Sequence, residues 1–187
     1  MKEDLHDILF TEESLRNRVA ELGAHITLDY ANMCADSGRA PTCPLLVGIL
    51  KGSFIFLADL SRSIDLNCEI RFLSASSYGF SSVTSGRVKI GSEFDSDITG
   101  RHVILIEDIL DSGVTMAALR KFISRHEPKS LKVCALLDKP ARRQVQIDAD
   151  YVGFVCPDEF VVGYGLDYAE RYRNLPFIAS LKPEIYE

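Results

Sequence analysis

The 187-residue chain lacks the features that mark several common classes of protein. It has no apolar run approaching the roughly 20 residues that a membrane-spanning helix needs, and its first residues, MKEDLHD, contain no apolar signal segment. Basic residues are not in excess, because 21 lysines and arginines stand against 27 acidic residues and give a net charge of −6. General nucleic-acid binding needs a basic face. We therefore expect a cytoplasmic protein with no membrane partner and no nucleic-acid partner.

Motifs for disulfides, dinucleotides and nucleoside triphosphates are absent too. The five cysteines form no Cys-x-x-Cys pair and are irregularly spaced, which favours reduced thiols in a reducing compartment. The chain has no early Gly-x-Gly-x-x-Gly motif, and no Gly-Lys-Ser or Gly-Lys-Thr. These absences argue against a dinucleotide-binding fold and against a nucleoside triphosphatase.

Helical and strand patterns alternate along the chain. Apolar residues at helical spacing behind Thr11, a candidate cap, predict a first helix. Short apolar runs such as LLVGIL are typical of strands that are buried on both faces. The predicted helices cover 11–31, 54–64 and 114–126, and the predicted strands cover 45–50, 68–73, 102–107, 131–138 and 151–155. This order predicts a single domain over 1–187, with an α/β fold and a mostly parallel central sheet flanked by helices.

The stretch VILIEDILDSGVT, residues 103–115, ends in a turn suited to binding a phosphate. Gly113 permits a tight turn, and the helix that should begin after it offers unpaired N–H groups and the positive end of its dipole. Ser112 and Thr115 add hydroxyl donors. Together these features predict a cradle for a phosphate monoester, at the strand end where parallel sheets bind ligands.

Three carboxylates, those of Glu107, Asp108 and Asp111, precede that cradle. They would repel a phosphate that they faced, so they must face a donor-rich group, such as the vicinal hydroxyls of a sugar or a divalent cation. One class of ligand brings phosphate, diol and metal together, namely a ribose 5-phosphate with a leaving group on C1. A purely structural strand, turn and helix is the alternative.

This stretch resembles the 5-phosphoribosyl-1-pyrophosphate (PRPP) signature of the type I phosphoribosyltransferases. Further stretches are similar to the 6-oxopurine branch of that family, the hypoxanthine-guanine phosphoribosyltransferases: LKGSFIFLADL (50–60), SSYG (76–79), LLDKPARR (136–143) and DEFVVGYGLDYAERYRNLP (158–176). The resemblance implies the type I phosphoribosyltransferase fold, with a small hood from roughly 1–35 and 155–187 and a mobile lid loop over roughly 74–96. Departures from the family pattern are Ser112 for Thr, Val114 for Lys and Gly165 for Ala, and we expect none of them to threaten the activity.

The resemblance also implies roles for individual residues. The ribose 5-phosphate of PRPP would contact Glu107, Asp108, Asp111, Ser112, Gly113, Val114 and Thr115. Asp111 would be the catalytic base at N7 of the purine. Pyrophosphate would contact Leu50, Lys51, Gly52, Ser77, Tyr78 and Arg173, with a cis peptide bond between Leu50 and Lys51. The purine would contact Lys139, Phe160, Val161 and Asp167, and Mg²⁺ would be held by Glu107, Asp108 and Asp167.

Without the resemblance, several of these stretches have structural explanations. LKGS fits an ordinary strand-to-helix turn, Lys139 fits a solvated lysine, and 74–96 fits a surface hairpin. Phe160 and Val161 fit a core, while Asp167 and Arg173 fit a surface pair.

The activity that the resemblance implies is purine salvage. The phosphoribosyl group would pass from PRPP to N9 of hypoxanthine or guanine, with Mg²⁺ as cofactor and pyrophosphate as the second product. Two alternatives stay open: a preference for xanthine, and a regulator that senses PRPP on the same fold. The acidic composition argues against the regulator. By the same resemblance we expect a homodimer or a homotetramer.

Overall fold

The computed structural model describes residues 1–35, 43–77, 88–90 and 98–186. Within these residues the chain forms nine strands and four α-helices, besides two short 3₁₀ segments. In chain order the elements are β1 (Leu5–Phe10), α1 (Glu12–Ala35), β2 (Leu45–Leu50), α2 (Phe54–Ser63), β3 (Glu69–Ser77), β4 (Val88–Ile90), β5 (His102–Leu110), α3 (Val114–Ser124), β6 (Ser130–Asp138), β7 (Tyr151–Val155), β8 (Val161–Val162), β9 (Ile178–Leu181) and α4 (Pro183–Tyr186).

The central sheet has six strands in the order β4-β3-β2-β5-β6-β7. Five of them run parallel, and only β4, at the edge, is antiparallel to its neighbour within the described residues. The predicted α/β fold with a mostly parallel sheet is therefore confirmed. Because the five strands are parallel, their carboxyl ends lie along one edge of the sheet, where such folds bind ligands.

The two faces of the sheet are covered by different helices, because side chains alternate along a strand. Leu46 and Ile104 pack in the cluster that contains the apolar residues of α1 and α2. Leu45 and Val103 pack in the cluster that contains those of α3. Burial on both faces explains why β2 and β5 are nearly continuous apolar runs in the sequence.

The first helix begins where the sequence predicts. Thr11 Oγ1 accepts a hydrogen bond from the N–H of Ser14 at 3.2 Å, and Glu12 and Glu13 lie in the first turn, at the positive end of the helix dipole. The helix runs on to Ala35, four residues beyond the predicted end. No helix in the described ranges is long and apolar enough to cross a membrane.

A second sheet of three strands, in the order β1-β9-β8, joins the two ends of the chain. β1 pairs antiparallel with β9, so that Leu5 lies opposite Leu181. None of these three strands was predicted from the sequence, because all are short and β1 pairs with a segment at the opposite end of the chain. The division into a hood and a single domain over 1–187 stays a prediction.

The segment predicted as a lid, 74–96, lies largely outside the described residues. Its described parts extend β3 to Ser77 and form β4, which pairs Ala75 with Ile90 and Ser77 with Val88. The predicted strand 68–73 was therefore too short, because a main-chain ladder can continue through polar residues that carry no apolar pattern. Tyr78 lies outside the described residues, and closure of the lid stays a prediction.

Candidate active site

Two of the three acids sit in β5, which is longer than the sequence predicts. β2 pairs with β5 only as far as Gly48 and Ile106, whereas β6 follows it to Leu110. Glu107 and Asp108 therefore belong to the strand itself, and Asp111 is the first residue after it. β2 stays paired with β3 as far as Leu50, but its pairing with β5 ends earlier, and a cavity lies beside the last residues of β5.

That cavity, of about 360 Å³, brings three distant stretches of the chain together. They are the turn after β2, the end of β5 with the turn into α3, and the loop after β8. Of the residues predicted for the site, it is lined by Leu50, Lys51, Gly52, Glu107, Asp108, Asp111, Ser112, Gly113, Thr115, Asp167 and Arg173. The sequence could not show this convergence, because the three stretches are about 50 residues apart.

Burial dominates the electrostatics of the acid pair. It raises the pKa of Glu107 well above the ordinary value, and the neighbouring charge of Asp108 adds to the effect. Burial raises the pKa of Asp108 as well, although hydrogen bonds with Glu107 and with the N–H of Ile109 oppose the increase. Among the described residues, Glu107 Oε2 and Asp111 Oδ1 are buried without a hydrogen-bond partner. Such unpaired oxygens are costly unless a ligand satisfies them.

The turn into α3 has the geometry of an anion-binding loop. Gly113 has φ +81, and a Cβ there would lie 2.7 Å from Ile147 Cγ2, so only glycine fits without movement. The N–H of Val114, the first residue of α3, reaches Ser112 Oγ at 3.4 Å. Val114 does not line the cavity, whereas Ser112, Gly113 and Thr115 do. The first-turn N–H groups of α3 and its dipole point to this end.

Two cations, Lys51 and Arg173, line the same cavity, and a glutamate joins them. Lys51 Nζ lies 3.0 Å from Glu170 Oε1, and Arg173 Nη2 lies 3.3 Å from Glu170 Oε2. Arg173 Nη2 also lies 2.9 Å from Asp167 Oδ1. Among the described residues, Arg173 Nε is buried without a partner. The predicted cis peptide bond between Leu50 and Lys51 is present.

Two glycines allow these stretches to approach one another. A Cβ at Gly52 would lie 2.5 Å from Asp108 Cγ and closer still to Oδ2. Gly165 has φ +103, and a Cβ there would overlap the carbonyl of Gly52. Glycine at position 165 thus allows the loop after β8 to pack against the turn after β2.

Three of the four residues predicted to bind the purine lie outside this cavity, whereas Asp167 lines it. Lys139 is only 4% exposed, and its Nζ donates to the carbonyl of Glu159 at 2.7 Å and pairs with Asp158 at 3.3 Å. The interpretation of Lys139 as a solvated lysine is therefore wrong, since the ammonium is buried and paired. Phe160 stacks on Tyr186, with ring centroids 4.9 Å apart. Val161 is buried, in β8.

Several residues of this region were not predicted from the sequence. Ile109 lines the cavity between the acids, Glu170 joins the two cations, and Arg143 binds the backbone at the end of β5. Glu170 and Arg143 lie within stretches that carry the resemblance, but nothing in their spacing indicates what they contact.

A larger cavity, of about 430 Å³, lies elsewhere, between α1, α2 and the loop before β9. Its charged residues are Glu12, Arg16, Asp59 and Arg62, two of each sign, and it holds none of the predicted site residues. Among the described residues there is no cluster of three or more histidine, cysteine or acidic side chains in the geometry of a metal site.

Comparison with known proteins gives concordant matches over most or all of the chain. A family model described as a phosphoribosyl transferase domain matches residues 28–169. The hypoxanthine-guanine phosphoribosyltransferase of Bacillus subtilis (strain 168) is 49% identical over 187 residues, which are 100% of this chain and 99% of that protein. The hypoxanthine phosphoribosyltransferase of Escherichia coli (strain K12) is 46% identical over 175 residues, 94% of each chain. The crystal structure of a hypoxanthine phosphoribosyltransferase from Staphylococcus aureus matches with a TM-score of 0.91 and 44% identity, over 100% of this chain and 97% of that one.

Proposed function

The chain belongs to the phosphoribosyltransferase family, and on that premise we propose that it catalyses purine salvage. In this reaction the 5-phosphoribosyl group of PRPP passes to N9 of hypoxanthine or guanine, giving IMP or GMP and pyrophosphate. The observation that carries the proposal is the single cavity in which a phosphate loop, an acid pair and two cations meet. PRPP carries a group that suits each of these parts: a phosphate for the loop, a diol for the acid pair and a pyrophosphate for the two cations.

The phosphate loop would hold the 5-phosphate of PRPP. The backbone around Gly113 and the hydroxyls of Ser112 and Thr115 offer donors at the positive end of α3. The acids Glu107 and Asp108 would then accept hydrogen bonds from the two ribose hydroxyls. In this arrangement the carboxylates contact the ribose hydroxyls and not the 5-phosphate, which they would repel.

The same carboxylates fit the Mg²⁺ that the family uses. The buried, unpaired Oε2 of Glu107 is a hard oxygen donor of the kind that Mg²⁺ prefers. Glu107 and Asp108 would hold one ion on the ribose side, and Asp167 would hold one on the pyrophosphate side. When bound, such ions neutralise charge on the departing pyrophosphate.

Pyrophosphate itself would be bound by Lys51, Arg173 and the backbone around Gly52. The unpartnered Nε of Arg173 supports this role, because a buried guanidinium donor gains most from an anion that accepts from it. Ser77 and Tyr78 would join from the lid when it closes. Closure would exclude water, which would otherwise hydrolyse the cationic sugar.

The purine would lie between the acid strand and the loop around Phe160. Lys139 would donate to the purine O6 and so favour oxopurines over adenine, whose amino group is itself a donor. Phe160 would stack on the ring, Val161 would offer backbone groups to its edge, and Asp167 would complete the site.

Catalysis requires charge stabilisation and a proton acceptor. As the bond to pyrophosphate breaks, C1 of the ribose becomes cationic, and the nearby carboxylates favour that charge. Asp111 would accept the proton at N7 of the purine. Its buried, unpartnered Oδ1 supports this role, since nothing else in the described residues bonds to that oxygen.

The reaction itself provides the test. Purified protein is incubated with PRPP, Mg²⁺ and each of hypoxanthine, guanine, xanthine, adenine and uracil, and product formation is followed by ultraviolet absorbance. We expect product from hypoxanthine or guanine and none from adenine or uracil. Product from none of the five bases would refute the proposal and favour a PRPP-sensing regulator.

Replacement of the proposed base sharpens the test. We expect Asp111→Asn to lower kcat by about 10²–10⁴-fold, the usual contribution of a positioned base, while PRPP binding measured by calorimetry persists. Asp148→Asn, at an exposed aspartate outside the cavity, is the control and should leave kcat unchanged. An unchanged kcat in Asp111→Asn would remove that residue from the role.

We also propose that the chain assembles as a homodimer or homotetramer in the cytoplasm. Phe54, Ile70 and Phe72 are between 43% and 51% exposed, and Ile70 and Phe72 lie on one face of β3 because side chains two apart share a face. Exposed aromatic and aliphatic groups of this kind favour contact with another subunit. Sedimentation equilibrium that gives the monomer mass at micromolar concentration would contradict the assembly.

A further inference from the structure

Arg143 binds the backbone on which the proposed catalytic base stands. Its Nη1 donates to the carbonyl of Leu110 at 2.9 Å and also to the carbonyl of Asp111. Its Nη2 pairs with Asp138 Oδ1. The side chain is only 16% exposed, and it does not line the cavity. The guanidinium thus lies behind the site and joins the end of β5 to the end of β6.

The backbone after Arg143 supports the next residue of the same loop. The N–H groups of Gln144 and Val145 donate to the carbonyl of Ser112 at 2.9 and 3.1 Å. Gly113 is packed so closely against this segment that a Cβ would lie 2.9 Å from the carbonyl oxygen of Val145 and 3.2 Å from Arg143 Cδ. Three consecutive carbonyls, those of residues 110, 111 and 112, are therefore held from one side.

These contacts matter for Asp111 because its own carboxylate has little else to orient it. Asp111 Oδ1 has no hydrogen-bond partner among the described residues, so the direction of the side chain depends on the backbone from which it projects. A planar guanidinium can bind two carbonyls and a carboxylate at fixed angles, whereas an ammonium is a single point of charge. A misplacement of about 1 Å can cost on the order of 10²-fold in rate.

We propose that Arg143 is a positioning residue for the reaction, which holds the backbone of residues 110 and 111 so that the Asp111 carboxylate is aimed at the purine. This inference rests on the proposed function, in which Asp111 is the base. Arg143 touches neither substrate in this arrangement and acts only through the loop.

A double-mutant cycle between Arg143 and Asp111 tests the inference. The kcat with hypoxanthine is measured for wild type, Arg143→Lys, Asp111→Asn and the double variant, and circular dichroism melting establishes that each is folded. We expect Arg143→Lys alone to lower kcat by about 10- to 100-fold. In the Asp111→Asn background the same change should lower kcat by less than about 3-fold, because there is no longer a base to position.

A merely structural role would give a different result. If Arg143→Lys lowered kcat by the same factor in both backgrounds, or did not lower it at all, the inference would be overturned. Arg125→Lys, at an exposed arginine that ends α3, is the matched control and should leave kcat unchanged. If Arg143→Lys does not fold, Asp138→Asn replaces it in the cycle. That variant removes the ion pair that holds the guanidinium and should show a smaller loss with the same dependence on Asp111.

Failure of the inference can be told apart from failure of the proposed function. If wild type forms no product from any purine, or if Asp111→Asn alone leaves kcat unchanged, the proposed function or the role of Asp111 is wrong. If Asp111→Asn lowers kcat but the effect of Arg143→Lys multiplies with it, only the positioning role is wrong.

Discussion

The contact between Gly52 and Asp108 gives the sharpest prediction about the site. In Gly52→Ala the new Cβ would lie 2.5 Å from Asp108 Cγ, whereas ordinary van der Waals contact begins near 3.4 Å. The carboxyl carbon must therefore retreat by about 0.9 Å, and Oδ2 must retreat further. Because a carboxylate at the end of a side chain can turn away, the free energy of unfolding should change little.

The loss of activity should be large, since the displaced carboxylate is one that would hold the ribose hydroxyls. A misplacement of about 1 Å costs on the order of 10²-fold, so we expect kcat/KM for PRPP to fall by about that factor. The assay is initial rate against PRPP concentration at saturating hypoxanthine, with urea unfolding measured on the same preparations. The signature is a variant that is folded and nearly inactive.

Gly100→Ala is the matched control. Gly100, unlike Gly52, has a positive φ, +71, and a Cβ there would meet nothing within 4 Å. This variant should lose about 1 kcal/mol of stability through backbone strain and no activity. The reasoning would be refuted if Gly52→Ala kept wild-type kcat/KM, because Gly52 and Asp108 would then not need this packing for catalysis.

Three further predictions concern buried titratable groups. Burial and the charge of Asp108 raise the pKa of Glu107, so the penalty for its ionisation grows as pH rises above the ordinary value of 4.5. Glu107→Gln should therefore abolish activity but increase the free energy of unfolding at pH 7 by about 1 kcal/mol. This gain in stability should shrink toward pH 4. An equal gain at both pH values, measured by urea unfolding, would contradict the prediction. Burial lowers the pKa of His102 below 6.5, so its contribution to stability is present above pH 6.5 and falls as pH drops through the lowered pKa. Between pH 7.5 and 5, the free energy of unfolding of His102→Asn should fall less than that of wild type. If the free energies of unfolding of the two proteins fell in parallel with pH, the effect would be excluded. Lys139→Met removes a charged donor worth about 1.5–3 kcal/mol, so kcat/KM for hypoxanthine should fall by roughly 10- to 150-fold, and an unchanged value would place the purine elsewhere.

The sequence was sufficient where a pattern repeats locally. β2, β5 and β6 are apolar runs because both their faces are covered, and the parallel sheet followed from their alternation with helices. The Gly113 turn and the cap of α1 are likewise local chemistry, and both lie where they were predicted. The strands β1, β8 and β9 could not be found in this way, because they are short and β1 depends on pairing with β9 at the other end of the chain.

The candidate site was likewise predicted from the sequence only in part. Its residue types, three acids beside a glycine turn with two hydroxyls, are written in thirteen consecutive residues, and they alone indicated a phosphorylated sugar. Tertiary structure decided what those residues face. It brought Lys51, Asp167 and Arg173 to the same cavity, placed Glu170 between the cations, and set Arg143 behind the loop. The physical reason is that ion pairs and hydrogen bonds to the backbone act over a few ångströms. Only the folded sheet brings residues that are 30 to 120 positions apart in the sequence to within such distances.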